Sequence, residues 1–422
     1  MLKETTLIIV ICMVLVTWVV PRRYFMVSYI VATCFVPADQ RIIIIELDFP
    51  ILRILVVAGV LRIFFRQEQI EIKWNILDKI VLIWAACGSV IYVMLWQNMS
   101  AVIYKSGVMF DVIGLYWMFR QYVRSRNEID FIAKVFAICA LVLAPLLLLE
   151  WSTGNNPFVY FGTVITHARA GRIRCQGAFP HAIMCGLFWA TLTPLFVGMA
   201  IIKAENRMLY CSAALASTFA VIASASSTPL MALFGSLAIL CLYKWRYYSN
   251  HAWVALFVVL LGLHICMKAP VWHLISRIQI IGGSTGWHRF NVIDQAIKHF
   301  DEWALVGTRT TEHWGWMMWD VTNQFVLEGV RGGILTLSLF MVKLAIIIKT
   351  LTWHFQRPSA AKQQMFTWVL FAVVCAHCIS FFGVSYFGQI MVLWYLVLAM
   401  VGYLAGEKAR IQTAARFITD ST

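Results

Sequence analysis

Thirteen predominantly apolar runs constrain this chain more than any other feature. They lie near 5–20, 24–37, 51–65, 76–97, 101–119, 129–150, 182–202, 208–223, 227–243, 252–269, 329–350, 366–383 and 387–405. A helix needs about 20 such residues to cross a bilayer core. The first three runs are short or interrupted, so eleven to thirteen spans are predicted. Of the 422 residues, 61% are hydrophobic and 13% charged, with mean hydropathy +0.78. Soluble domains are about 45–50% apolar and about 25% charged. A chain of this size cannot enclose so much apolar surface in water. The expected fold is an all-α, polytopic integral membrane protein. A cytosolic enzyme, a disordered tail and a disulfide-stapled secreted module are excluded. The runs are continuous rather than alternating, which excludes a transmembrane β-barrel. With no internal repeat or low-complexity tract, residues 1–422 read as one membrane domain. Met1 to Val20 has no small-residue cleavage site and reads as a retained membrane segment.

The formal charge of +14 has an ordinary explanation in a membrane protein. Arg120, Arg124, Arg126, Lys203, Arg207, Lys244, Arg246, Lys349, Arg357 and Lys362 fall in alternate short loops, and Lys408, Arg410 and Arg416 in the tail. The positive-inside rule puts that side, with the C-terminus, in the cytoplasm. The side taken by the N-terminus stays open. No basic face with interleaved aromatics suggests a nucleic-acid partner. The 11 cysteines mostly sit in apolar runs; Cys375 and Cys378 form a CxxC inside a predicted span and read as packing.

Two long connections on the outer face, about 151–181 and about 270–328, break the charge rule. The first holds His167, Arg169, Arg172, Arg174 and His181. The second holds His273, Arg277, His288, Arg289, His299, Arg309 and His313, with Asp294, Asp301, Glu302, Glu312 and Asp320. Topology asks for no positive charge there, whereas an anionic ligand does. In Arg172-Ile-Arg174-Cys-Gln-Gly177-Ala-Phe179-Pro180-His181, guanidinium forks suited to phosphate oxygens precede a helix start with free N–H groups. The alternative is a loop whose arginines anchor to lipid headgroups.

Gly282-Gly283-Ser284-Thr285-Gly286-Trp287-His288-Arg289 opens an amphipathic segment, with Phe290, Ile293, Ile297 and Phe300 at helical spacing. Ser284 or Thr285 is a candidate cap. Arg289 in the first turn opposes the helix dipole, a cost that an anion shared with the helix start would offset. An ordinary interfacial helix is the plainer reading. Asp320, in Trp319-Asp320-Val321-Thr322-Asn323-Gln324, reads equally as a general base or as the cap of the next span. Gly332 and Gly333 suggest close helix packing. Glu328 and Arg331, three apart, suggest a pair. Ser224-Ala-Ser226-Ser227-Thr228-Pro229 reads first as a hairpin connection. There is no HExxH, paired Cys/His zinc spacing or Asp-x-Asp. Glu46 and Asp48 are the only candidate carboxylate pair for a metal, so an enzyme working without metal or cofactor is expected.

At these residues the chain resembles the O-antigen ligase and polymerase superfamily, the Wzy-like multi-spanning bacterial proteins. The resemblance runs from about Arg172 to Gly333 and rests on the order of several motifs. They are Arg-x-x-Gly-x-Phe-x-His at 174–181, Ser-Ser-Thr-Pro at 226–229, Gly286-Trp-His-Arg289, Asp320-Val-Thr-Asn323, and Gly332-Gly333. It implies an inner-membrane glycosyltransferase acting on the periplasmic face. Its partners are an undecaprenyl-pyrophosphate-linked glycan, an acceptor glycan, the lipid bilayer and other polysaccharide-assembly membrane proteins. Arg174 and Arg289 would hold the pyrophosphate leaving group, with Arg172, His181, His288 and Asn323 contacting substrate. Many ligases carry His where Thr322 stands, and many members carry Arg where Thr228 stands. The expected base is therefore Asp320 first and His313 second, and the expected activity is polymerisation of O-antigen or exopolysaccharide repeats. Ligation of finished polymer to lipopolysaccharide core is the alternative. A flippase for lipid-linked glycans is a rival of another class; it would need cations through the middle of its spans. The site is expected in a periplasmic cavity capped by the 270–328 loop.

Overall fold

The computed structural model describes residues 3–44, 47–277, 280 and 286–420. The early helices are α1 (Glu4–Val19), α2 (Phe25–Phe35), α3 (Ile51–Phe65), α4 (Ile76–Trp96), α5 (Met99–Tyr122) and α6 (Arg126–Thr153). The middle of the chain forms α7 (Ala182–Ile202), α8 (Arg207–Ala223), α9 (Ser227–Cys241) and α10 (Ser249–Cys266). After α11 (Gly286–Lys298) and α12 (Phe300–Trp303) come α13 (Gln324–Gln356), α14 (Ala361–Phe381) and α15 (Gln389–Asp420). Two antiparallel hairpins complete the architecture: β1 (Arg41–Ile44) with β2 (Leu47–Pro50), and β3 (His167–Arg169) with β4 (Arg172–Arg174).

All thirteen apolar runs are helical. Eight stretches among the described residues are long and apolar enough to cross a membrane, counting Ser227–Cys266 as one. This is a helical, multi-pass membrane protein with fewer full-length spans than the eleven to thirteen expected. The reason is length: α1, α2, α3 and α8 have 16, 11, 15 and 17 residues. At 1.5 Å per residue the longest of these reaches about 25 Å, short of a core about 30 Å thick. α7 and α14, apolar all round, form the buried axis of the bundle, with Trp189, Phe188 and Phe196 fully enclosed. Thr193 donates to Ser217 at 2.9 Å, tying α7 to α8.

Helix ends alternate between two faces. On one face Arg22 pairs with Glu128 and Arg126 with Glu407, and Arg246 donates to Gln364. This face carries the cationic short loops. On the other lie the start of α1, both hairpins and the connections 154–181 and 267–323. Lys3 N donates to Gln40 and Thr5 to the Tyr160 carbonyl, so α1 starts opposite the C-terminal tail. At the cationic face Asn75 and Asp78 form a reciprocal cap on α4. Asp78 also accepts from Tyr116 at 2.6 Å and Arg120 at 2.8 Å, an enclosed ion pair with its lone pairs filled.

The 267–323 connection folds on a small core of its own, built from Val292, Ala296, Trp303, Trp314, Met318 and Val330. α13 is broken where that core meets it. Gly332 has φ −150° and Gly333 φ +67°, ψ −175°, neither of them helical. The freed backbone groups are taken by the inserted segment after α12: Ile334 N donates to the Ala304 carbonyl at 2.7 Å, and Thr308 N to the Val330 carbonyl at 2.8 Å. The two glycines therefore make a helix break that accepts a loop, in place of the close helix packing expected. Cys375 and Cys378 are free thiols inside α14.

Candidate anion site at the start of α9

Arg174 is the last residue of β4, and its position follows from how that strand is tied down. Cys175 N donates to the Ala223 carbonyl at the end of α8. Glu150, at the end of α6, accepts from Gln176 N at 3.0 Å, Gly177 N at 2.9 Å and the Thr166 hydroxyl. The turn passes through Gly177 at φ +56°, where glycine costs least. Arg174 is thereby held against the 224–229 turn, where one terminal nitrogen donates to Ser226 Oγ at 2.7 Å. Its side chain is buried, and its Nε has no partner among the described residues.

Arg289 comes to the same place from α11. It is 6% exposed, and its Nε donates to the Gly383 carbonyl at 3.4 Å. Gly383 in turn lies so close to Thr228 that a methyl group in its place would come within 2.7 Å of that hydroxyl. Ser226 is the N-cap of α9 and Thr228 lies in its first turn. Both arginines are thus anchored near the start of one 15-residue helix, where the helix dipole favours an anion. Among the described residues, buried Thr228 Oγ1, Gln176 Oε1 and His288 Nδ1 have no hydrogen-bond partner, and neither does Thr322 Oγ1. The two threonines are the residues that depart from the resembled family's pattern.

No carboxylate pairs with Arg169, Arg174 or Arg289 among the described residues. Burial, then the charge of Arg169, lowers the Arg174 guanidinium and pushes Arg289 down to about 10. Arginine stays cationic at neutral pH in proteins. Uncompensated buried charge of one sign is costly, and a bound anion removes the cost. His181 reports the same field. Burial first, then Arg174, His167 and Arg169, push it down to about 4 from 6.5, and its neutral ring caps α7 by accepting from Ile183 N. Between pH 6.5 and about 4 the unfolded chain therefore binds a proton at this residue that the folded chain does not. Stability should fall as pH drops through that window. His181→Asn, which keeps a capping oxygen, should flatten the profile of thermal midpoint against pH in detergent. A variant profile as steep as the parent's would assign the acid loss elsewhere.

The remaining expected residues divide. His288 joins the site, its Nε2 3.1 Å from the Asp320 carbonyl. This brings Asp320, partly exposed, beside the Arg289 helix through its backbone. Asn323 caps α13 and donates to the Phe382 carbonyl at 3.2 Å. The cap of that helix is therefore Asn323 and not Asp320. Arg172 is exposed on the hairpin, opposite Arg169. His313 lies in an exposed cluster with Glu302 and His299. Glu328 accepts from Trp84 and Gln324 in place of the expected pair with Arg331, and Asp48 pairs with Arg41. Glu46 and the Gly282, Gly283, Ser284 and Thr285 run lie outside the described residues. Sequence reasoning missed Gly383 and read the polar run holding Ser226 and Thr228 first as a hairpin connection. The signal available was the polar run ending in Pro229, which can open a helix as well as close a hairpin.

A cavity of about 570 Å³ lies beside the site, bounded by α3, α4, α5, α13 and α15. Ser385, Tyr386, Phe387 and Gly388 line it, so the segment after α14 separates it from Arg289. Its lining includes Arg53, Lys105, Asp111, Glu328, Arg331 and Trp84. Arg53 holds Asp111 with two bonds, at 2.8 and 2.6 Å. Of the described residues in 270–328, only Gln324, Leu327 and Glu328 at the start of α13 line it; the other walls are the spans, with Val36, Pro37, Ala38, Gln40 and Pro50.

The fold and site together define a polytopic helical membrane protein with two buried arginines held near one helix start. No family model, curated protein or solved structure matches the chain.

Proposed function

We propose that this protein is a membrane glycosyltransferase that polymerises undecaprenyl-pyrophosphate-linked oligosaccharide repeats on the periplasmic face of a bacterial inner membrane. The observation that carries the reading is the convergence of Arg174 and Arg289 on the start of α9, without a carboxylate counter-charge among the described residues. A pyrophosphate diester offers the oxygens that two guanidinium forks recognise. In the proposed step the acceptor hydroxyl oxygen attacks the anomeric carbon of the donor glycan. The bond to the pyrophosphate oxygen breaks, and its electron pair leaves with the lipid pyrophosphate, which the arginines stabilise. Asp320 accepts the hydroxyl proton, and the displacement inverts the anomeric carbon. The charged groups of the neighbouring cavity favour a one-sided enzyme over a flippase. Arg53, Lys105, Glu328 and Arg331 sit toward the helix ends of the face that carries Arg174, and Asp111, midway along α5, is neutralised by Arg53.

The test compares cells carrying the parent protein and Arg289→Ala at equal membrane levels, by their lipid-linked oligosaccharides and surface glycan. Single repeats on lipid with no polymer are expected. Full-length polymer stranded on undecaprenyl pyrophosphate would assign ligase activity instead. Normal material in both fractions would remove Arg289 from the chemistry.

A further inference from the structure

His299, Glu302 and His313 come together on the same face as the arginine site but away from it. His299 Nδ1 lies 2.7 Å from one Glu302 oxygen, and His313 Nε2 lies 2.6 Å from the other. All three donor atoms lie within 4.8 Å of one another. We propose that these three residues form a binding site for one divalent transition-metal ion of the zinc type.

The donor chemistry selects the ion. Two imidazoles and one carboxylate suit Zn²⁺ and its neighbours; Ca²⁺ and Mg²⁺ prefer all-oxygen shells. Zinc holds such ligands at about 2.0–2.2 Å, which requires the N–O separations to open to roughly 3 Å or slightly more. Half-exposed side chains on a loop make that adjustment by rotation. Three protein ligands leave a fourth position for water.

The ligands are positioned rather than merely adjacent. Trp314 is buried in the small core and donates from Nε1 to Glu302 at 2.9 Å. It also presents its ring to His299, stacked at 5.2 Å and 6°. The indole thus supports two of the three ligands, Glu302 and His299, from the rear, the outer support that metal ligands commonly have. The site joins residues 299–302 at α12 to the turn at 312–314. Between them runs the segment that fills the break in α13. Metal binding here would brace that insertion. It would contribute to stability and leave the displacement at Arg289 to the arginines.

The cluster was not legible in the sequence, because its ligands follow no helical or CxxC-type spacing. They meet only once Trp314 is seated in the small core.

The test uses the full-length protein in detergent, stripped with chelator and then titrated with ZnCl₂ and, separately, CoCl₂. One tightly bound ion per chain is expected, with a raised thermal midpoint. Glu302→Gln, which keeps the side-chain size, should weaken binding about tenfold or more. The double variant His299→Ala, His313→Ala should abolish binding. The bound Co²⁺ should show visible bands without intense thiolate charge transfer. Absence of stoichiometric binding to the parent protein overturns the proposal, whatever the variants do. Binding unchanged in the double variant, or an intense thiolate band from the free cysteines, places the metal elsewhere and also overturns it.

Discussion

Gly333→Ala should be among the most disruptive single-methyl additions in this chain. At φ +67° and ψ −175° the backbone occupies a region essentially restricted to glycine, at a cost of about 1–3 kcal/mol for another residue. The added methyl would also fall 2.3 Å from the Leu305 carbonyl oxygen. That oxygen belongs to backbone already fixed by the Ile334–Ala304 and Thr308–Val330 hydrogen bonds, so it cannot rotate away. Overpacking of this kind adds about 1–3 kcal/mol, giving a total of about 2–6 kcal/mol. A large fraction of the roughly 5–15 kcal/mol that holds a typical domain would be lost. Gly332→Ala supplies the contrast. Its φ of −150° lies outside the left-handed region, and the methyl would meet only the Thr336 side chain, 2.3 Å from Oγ1 and 2.6 Å from Cβ, so the cost is overpacking without backbone strain. Gly262→Ala meets nothing within 4 Å and should be neutral apart from helix propensity. The ordering to be measured is the thermal midpoint in detergent, with Gly333→Ala far below Gly332→Ala and Gly262→Ala nearest the parent. If Gly333→Ala matched Gly262→Ala, the inserted segment would not occupy the break.

That break also marks a boundary of what a sequence can disclose. The apolar runs announce their helices because burial in lipid requires satisfied backbone and about 20 apolar residues, both local properties. Every run is a helix for this reason, and the Arg-rich connections fall on one face as the alternation of short loops requires. Gly332 and Gly333 sit in the same kind of run, but whether two glycines draw neighbouring helices together or interrupt their own depends on what lies beside them. Here it is the 304–308 segment, far enough along the chain that no periodicity reports it. The same applies to the arginine site. Arg174 and Arg289 stand out in sequence as cations where topology requires none. Their shared anchor at Ser226, Thr228 and Gly383 comes from the packing of α9 against the segment after α14. Asp320 illustrates the remaining gap: its carbonyl meets His288, a contact that side-chain reasoning cannot supply.

The second large effect concerns the two arginines as a unit. Under the proposed polymerase function, Arg174→Ala and Arg289→Ala should each slow polymer formation by about 100- to 1,000-fold, the usual consequence of removing one donor from a site that stabilises developing charge. Arg289→Lys should fall between Arg289→Ala and the parent, because ammonium restores charge without the planar fork. The decisive measurement is the double variant. Both side chains are anchored at the start of one helix and feel the charge of Arg169, so both are assigned to one anion. Once the first arginine is gone the pyrophosphate is no longer held for the second to act on. The double variant should therefore be only slightly slower than the worse single, far short of the product of the two effects. Rates would be read as polymer formed by membranes given a lipid-linked donor at saturating concentration, with protein levels matched. Fully multiplicative losses would mean that the arginines stabilise separate groups. Arg174 would then be an anchor for the β3–β4 hairpin against Ser226, and Arg289 alone would hold the leaving group.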